Sequence, residues 1–236
     1  HTASLIHDDV VDEDRHRRGV DTLYKTWKNT AILTGDTFYA LACNIITTYG
    51  PKIWQVVSDG AIELCDGQFM DVTLTLDNCG EKEYFEKITK KSASLFKVSS
   101  RSGAMVGGGS NSEVEALGEY GKFFGVTYQL RDDMLEVIND AASDLRNGRV
   151  TLPYLHLYSN GNSSVRHLLE QNFGKKRPRS AVLRLLKASL KEAGSLDYCR
   201  GKISEILDQA LKSLAGLRNS QHKEQLVLFA ETTLKP

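Results

Sequence analysis

"HDDVVDEDRHRRG", residues 7–19, crowds four aspartates and a glutamate into seven residues and follows them with three arginines. On an α-helix Asp8 and Asp12 lie one turn apart and share a face. The preceding "TASLI" (2–6) is apolar or small, so that face leads out of a buried helix. Like charges at this spacing repel by a few tenths of a kcal/mol when exposed, and half-burial adds a desolvation cost (~0.3 kcal/mol before burial). Taken alone, the stretch is either a solvated face satisfied by i,i+4 pairs or a cage for hard cations with an anion clamp beside it.

The pattern returns. "YQLRDDMLEVIND" (128–140) holds Asp132, Asp133 and Glu136 at the same spacing, again at the end of an apolar helical stretch, "LGEYGKFFGVTYQL". One such string is weak evidence; two, each closing a core helix, are much stronger. Clustered oxygen donors without a Cys or His pattern select a hard ion, and Mg²⁺ is the natural candidate because it accepts a few carboxylates and keeps water and phosphate oxygens. Two carboxylate walls and the adjacent Arg17 and Arg18 then point to a substrate bearing a diphosphate.

The bulk properties agree with an ordinary globular chain of 236 residues, 41% hydrophobic and 25% charged, long enough to bury a real core. A formal net charge of +0 gives no global field to recruit nucleic acid or an acidic membrane. Cys43, Cys65, Cys79 and Cys199 are scattered, which argues against structural zinc or a disulfide framework and fits a reducing cytoplasm. No apolar run is long enough to span a membrane. The chain reads as a single all-α domain over 1–236 that begins in mid-helix, so a preceding segment is expected to be missing.

With prolines only at 51, 153, 178 and 236, helix periodicity dominates. It predicts helices near 1–13, 30–48, 52–72, 82–105, 113–139, 150–158, 164–172, 179–193, 195–217 and 221–231. "FMDVTLTL" (69–76) is the main strand-like alternation, and Ser112 is a candidate cap for the helix through Glu113. "GGGS" (107–110) is a turn and "GKKRPR" (174–179) an exposed basic loop.

"SLIHDDVVDEDRHRRG", "AILTGDTFYALA", "DGQFMDV", "KKSASLFKVSS", "LGEYGKFFGVTYQLRDDMLE" and "DLRNGRVTLP" occur in an order that resembles the trans-isoprenyl diphosphate synthases, the polyprenyl synthetases. The resemblance runs from His1 to about Pro153 and more loosely to the C-terminus. It implies an isoprenoid-synthase-type helical bundle with a deep central cavity and the two acidic motifs facing each other at its mouth. It also implies a homodimer with its interface on central helices. The implied reaction is head-to-tail condensation of isopentenyl diphosphate with an allylic diphosphate, with Mg²⁺, about three ions once diphosphate is bound, drawing the leaving group away.

Roles follow by position. Asp8, Asp12 and Asp132 resemble direct Mg²⁺ ligands; Asp9, Asp133 and Glu136 resemble outer-shell or water-mediated ones. Arg17 resembles the arginine for the allylic diphosphate and Arg18 that for isopentenyl diphosphate. Lys91, by itself a solvated helix lysine, resembles the family's lysine for the allylic diphosphate; Ser92 stands where Thr is usual, and Gln129 follows Tyr128 where Phe-Gln is usual. The sequence departs from the family in ending its second motif on Glu136, whose extra methylene is expected to push the carboxylate outward. It also departs in keeping only "VINDAAS" where a longer Gly-Lys loop is usual; incomplete coverage is the expected reason. Ala3 and Ser4, one turn before Asp8, are too small to floor the cavity, so a product of about C25 or longer is expected.

Rival readings fit less well. A di-metal carboxylate oxidase needs two Glu-x-x-His pairs, and only Glu13–His16 is present. A His-Asp phosphohydrolase needs clustered histidines. A terpene cyclase carries one Asp-rich motif with a distinct Asn/Ser/Glu triad. A shorter-chain geranylgeranyl or farnesyl diphosphate synthase, or a subunit of a heteromeric synthase, remains the alternative within the family; intact first-motif aspartates argue against a non-catalytic subunit.

Overall fold

The computed structural model describes residues 1–139 and 142–234 and is almost wholly helical. Residues 140 and 141, in the short "VINDAAS" connection, lie outside the described residues. The chain divides into two compact units, His1–Val56 and Val57–Pro236.

In the first unit α1 (Thr2–Val11) leads into a ribbon that the periodicity did not predict, β1 (His16–Arg17) against β2 (Val20–Asp21). The ribbon closes through Arg18 and Gly19, both at positive φ (53° and 80°). A two-residue hairpin turn of this kind needs left-handed backbone at both positions; Gly19 supplies one without strain and Arg18 bears the cost. α2 (Leu23–Trp27) follows, capped by the Thr22 hydroxyl, which accepts from Lys25 N at 3.2 Å. α3 (Ala31–Ile46) packs on α1 at Gly35, where an added Cβ would collide with the His7 imidazole. His7 Nε2 lies 3.2 Å from both the Ile32 carbonyl and Asp36 Oδ1, so the ring ties α1 to α3.

α4 runs over Pro51–Thr73, so "FMDVTLTL" is a helix end followed by loop and not a strand. The predicted single helix over 82–105 is three pieces: α5 (Glu81–Ile88), a π-helical turn at Thr89–Ala93, and α6 (Ser94–Val106). Such turns inside helices recur at functional sites. Lys91 and Ser92 lie in this one.

α7 (Asn111–Ile138) is the axis of the second unit. Its buried residues run from Val114 to Val137 and fall on every side, the pattern of a helix enclosed by others. It is capped two residues earlier than predicted, by Ser110, whose hydroxyl accepts from Glu113 N (3.3 Å) while Glu113 Oε2 accepts from Ser110 N (2.8 Å). This reciprocal box satisfies two otherwise orphaned donors, which Ser112 cannot do. After α7 come α8 (Ser143–Asn147), α9 (Leu152–Asn160), α10 (Ser163–Asn172), α11 (Ser180–Glu192), α12 (Ser195–Ser213) and α13 (Gln221–Leu234), of which α9, α12 and α13 pack on α7. One apolar core joins Tyr84, Leu130, Met134, Leu157, Leu190 and Ile203; a second joins Tyr120, Phe124, Ala210 and Leu234.

Two glycines grip the π turn. Gly125 of α7 leaves no room for a Cβ against Ala93, and Gly67 of α4 lies directly on the Lys90–Lys91 backbone, where a Cβ would come within 2.6 Å of Lys91 Cα. Gly67→Ala is therefore expected to force α4 off the turn and lower stability by about 1–3 kcal/mol. Circular-dichroism melting would show a transition several degrees lower; an unchanged melt would contradict this packing.

Candidate active site

In the first unit the acidic stretch is organised around Arg17. The ribbon folds it back onto α1, where Nε donates to Asp9 Oδ1 at 2.6 Å and Nη2 to Asp8 Oδ2 at 3.2 Å. Asp9 is buried, so this pair is one the fold needs. Burial would depress the guanidinium, but Asp9, with Asp8 and Asp14 behind it, holds it above its ordinary value. Asp12 caps α1, one turn beyond Asp8, with its N–H on the Asp8 carbonyl at 2.9 Å. Asp14 is raised by burial and then by Asp12, with Arg17 opposing. Asp8, Asp9 and Asp14 thus share the Arg17 guanidinium. Arg18 stands exposed at the ribbon tip. Ala3 is buried on α1, and half-buried Ser4 donates its hydroxyl to the His1 carbonyl at 2.7 Å.

In the second unit the structure links three predicted residues, and Tyr84 with them, in one chain of bonds. Ser92 Oγ donates to Gln129 Oε1 (2.6 Å), Gln129 Nε2 donates to Asp133 Oδ1 (2.7 Å), and Tyr84 OH donates to Asp133 Oδ2 (2.6 Å). Both Asp133 oxygens are therefore taken by protein donors. Burial pushes its carboxyl up to about 6, against the Lys87 charge and the two hydrogen bonds. Asp132, beside it, is exposed, and among the described residues no hydrogen bond or ion pair engages it. Partial desolvation raises its pKa, Arg131 opposes, and Glu136 one turn on adds to the rise. Glu136 does not point away from the protein: its Oε1 accepts from the Asp144 backbone N at 3.0 Å, at the start of α8. Burial, and after it the hydrogen bond with Glu136, carries the Asp144 carboxyl well above its ordinary value.

Lys91 has a partner that sequence reasoning missed. Its Nζ lies 2.6 Å from Asp71 Oδ2, on α4. Buried Lys87 donates to Asp71 Oδ1 (3.0 Å) and to the Val150 carbonyl (2.6 Å), and Arg149 sets Nε 3.6 Å from Asp71 Oδ2 and donates from Nη1 to the Asp71 carbonyl at 3.0 Å. Burial opposes ionisation of Asp71, but Lys87 and Lys91, with Arg149 behind them, hold it down at about 2. The available signal was Lys87 and Lys91 themselves: two like charges at helical spacing, the basic counterpart of the acidic motifs.

Among the described residues no three carboxylate, imidazole or thiolate side chains converge closely enough to hold a metal ion. The donor sets still fit Mg²⁺: all are carboxylate oxygens, and Asp14 and Asp132 are raised in pKa by burial and by neighbouring carboxylates. All four thiols are free, and among the described residues no helix is long and apolar enough to cross a membrane.

An all-α chain with paired acidic motifs and a buried cluster of lysines and arginine defines a class, the helical isoprenoid synthases, and the comparisons agree. Residues 1–189 match the polyprenyl synthetase family, and the chain belongs to it. It is 34% identical to a geranylgeranyl pyrophosphate synthase of Geoglobus acetivorans over 98% of this chain and 75% of the relative. It is 32% identical to an octaprenyl diphosphate synthase of Haemophilus influenzae over 98% and 73%. The crystal structure of a decaprenyl diphosphate synthase from Rhodobacter capsulatus superposes with a TM-score of 0.93 at 27% identity, covering 99% of this chain and 75% of that one. The chain is accordingly a prenyltransferase of the prenyl diphosphate synthase type.

Tyr84 is fully buried. Tyr84→Phe would remove the donor and leave an Asp133 oxygen unsatisfied, which costs about 1–3 kcal/mol. A drop in the urea midpoint at pH 7 would show it. Because Asp133 titrates near 6, the loss should shrink as pH falls below that value and the carboxyl protonates; a loss that grows on acidification would contradict the assignment.

Proposed function

We propose that this chain condenses isopentenyl diphosphate head-to-tail with an allylic diphosphate, in the presence of Mg²⁺, to an all-trans polyprenyl diphosphate of about C25 or longer. The observation that carries the reading is the bonded set Ser92–Gln129–Asp133 beside Lys91, each at a position the family resemblance had singled out, with Asp71 holding Lys91. Asp8, Asp12 and Asp132 are the Mg²⁺ ligands. Asp9, Asp133 and Glu136 hold those ligands or their waters in place. When bound, Mg²⁺ supplies Lewis-acid withdrawal of charge from the allylic diphosphate.

The chain's own groups do the rest. Lys91 and Arg17 grip the allylic diphosphate, and Arg18 grips isopentenyl diphosphate. The C1–O bond of the allylic substrate breaks and the diphosphate leaves with the electron pair. The double bond of isopentenyl diphosphate supplies the electrons of the new carbon–carbon bond, and the departed diphosphate takes the proton that is lost. Ser92 and Gln129 set their oxygens toward the developing cation.

Two further points belong to this reading. α3 buries only Ala31 and Gly35, while Ile32, Leu33, Phe38, Tyr39, Leu41 and Ile45 are exposed. So much apolar surface on one helix supports a homodimer. The four free thiols support action in the cytoplasm. A shorter product has its own support in the 34% identity to a geranylgeranyl pyrophosphate synthase.

Incubating the purified chain alone with isopentenyl diphosphate, Mg²⁺ and several allylic starters, then chromatographing the products, tests the reading. Activity without a partner and products of about C25 or longer support it. C20 as the longest product establishes the shorter-chain reading. No condensation by the lone chain favours a heteromeric subunit. Ser4→Phe, placing a ring one turn before Asp8, is expected to shorten the product; an unchanged length sinks the role of this position.

A further inference from the structure

Between Gln171 and Lys191 the chain carries seven lysines and arginines and no aspartate or glutamate. The formal net charge of the whole chain is +0, so this stretch makes a local field where the molecule has no global one. Lys175, Lys176, Arg177 and Arg179 lie in the loop before α11, Arg184 and Lys191 lie on α11, and all six are exposed. Among the described residues none of the six is in an ion pair, and only Lys176 makes a side-chain hydrogen bond, to Asn147 Oδ1 at 3.1 Å. The seventh, Lys187, is half-buried and donates to the Ile138 carbonyl at 3.0 Å. Surface cations elsewhere in the unit are paired: Lys90 with Glu86 at 2.9 Å, Lys122 with Glu119 at 3.1 Å, Arg200 with Asp197 at 2.6 Å. α11 itself has two faces. It buries Leu186, Ser189 and Leu190. Its outer face repeats at helical spacing as Ala181, Arg184, Leu185, Ala188 and Lys191, all exposed, Leu185 at 54%. Small and apolar groups flanked by cations, with no acid before Glu192, make the pattern of a helix that lies in a bilayer interface.

We propose that the surface formed by the 175–179 loop and the outer face of α11 docks the protein on an anionic phospholipid bilayer, with the loop cations on headgroup phosphates and Leu185 at the edge of the acyl region. Each lysine or arginine that reaches an anionic membrane adds to the attraction, and none of these six must first give up a carboxylate. A nucleic acid is a poorer match. The stretch holds one aromatic residue, Phe173, and it packs against the apolar core, so no exposed ring is offered to an unpaired base. The choice of a bilayer also rests on the function proposed above: a polyprenyl tail is insoluble in water, and an enzyme seated on a membrane releases it where it dissolves.

The test sediments the full chain, without substrate, with vesicles of phosphatidylcholine alone and of phosphatidylcholine mixed with phosphatidylglycerol, at low and high salt. The wild type is expected to partition about tenfold more onto the anionic vesicles and to leave them as salt rises. The quadruple variant Lys175→Gln, Lys176→Gln, Arg177→Gln, Arg179→Gln is expected to lose about tenfold of that binding, and Leu185→Ser about threefold. All five side chains are exposed and stand outside the proposed catalytic set, so condensation of soluble substrates without vesicles should keep its wild-type rate. Equal binding to the two kinds of vesicle, or unchanged anionic binding in the quadruple variant, overturns the proposal; unchanged binding in Leu185→Ser overturns the seating of that leucine. A lower kcat/KM of the quadruple variant without vesicles also overturns it, because the cations then steer diphosphate substrates. Tighter retention by duplex DNA than by anionic vesicles at the same salt does so too, and assigns the surface to nucleic acid. Because partition is read without substrate, anionic-vesicle binding by a chain that fails to condense would sink the proposed function and leave the docking surface standing.

Discussion

A carboxylate taken out of water must be met by a cation or by hydrogen-bond donors, or it drives the fold apart. This chain buries Asp9, Asp71 and Asp133, and much of its local architecture follows from how each is met. Asp9 requires Arg17, and the ribbon at 16–21 is what turns Arg17 back onto α1. Asp71 requires Lys87, which joins α4 to α5 and to the backbone before α9. Asp133 is met by neutral groups, Tyr84 and Gln129, so it stays a weak acid near 6 while Asp71 becomes a strong one near 2. The two carboxylates are almost equally buried; their neighbours alone set them apart.

What the fold leaves unmet is as informative as what it satisfies. The first motif gathers Asp8, Asp9 and Asp14 around Arg17, and Asp132 stands without a partner among the described residues. Around Asp71 three cations, Lys87, Lys91 and Arg149, converge on one carboxylate. Clustered carboxylates suit divalent cations, and clustered cations suit the oxygens of a diphosphate. A prenyl diphosphate synthase handles both at once, since its substrates carry the anion and the family chemistry separates it from carbon.

The helices were legible because burial on one face imposes a 3.6-residue period, and the two acidic motifs were legible because carboxylates at that period have a cost that demands a cation. The short elements were not. The ribbon pairs two residues with two, α2 and α8 are five residues each, and none is long enough to show a period. The π turn leaves no periodic mark either, because Thr89–Ala93 continues the helix on both sides. Ser110, not Ser112, caps α7 because only Ser110 stands three residues before Glu113. Asp71 carries no local signal within "DGQFMDV", since its importance lies in Lys87, Lys91 and Arg149, which are distant in sequence. Glu136 was expected to reach outward; the adjacent start of α8 offers it a backbone donor instead.

The central claim is that Asp8 and Asp12 of the first motif and Asp132 of the second bind divalent metal when diphosphate is present. Crystals of the full chain grown with Mn²⁺ and inorganic pyrophosphate test it directly through anomalous scattering. The account predicts manganese peaks at metal–oxygen bonding distance from the Asp8 and Asp12 carboxylates and from the Asp132 carboxylate, with pyrophosphate oxygens on the same ions. Pyrophosphate bound with no manganese at either motif would contradict it.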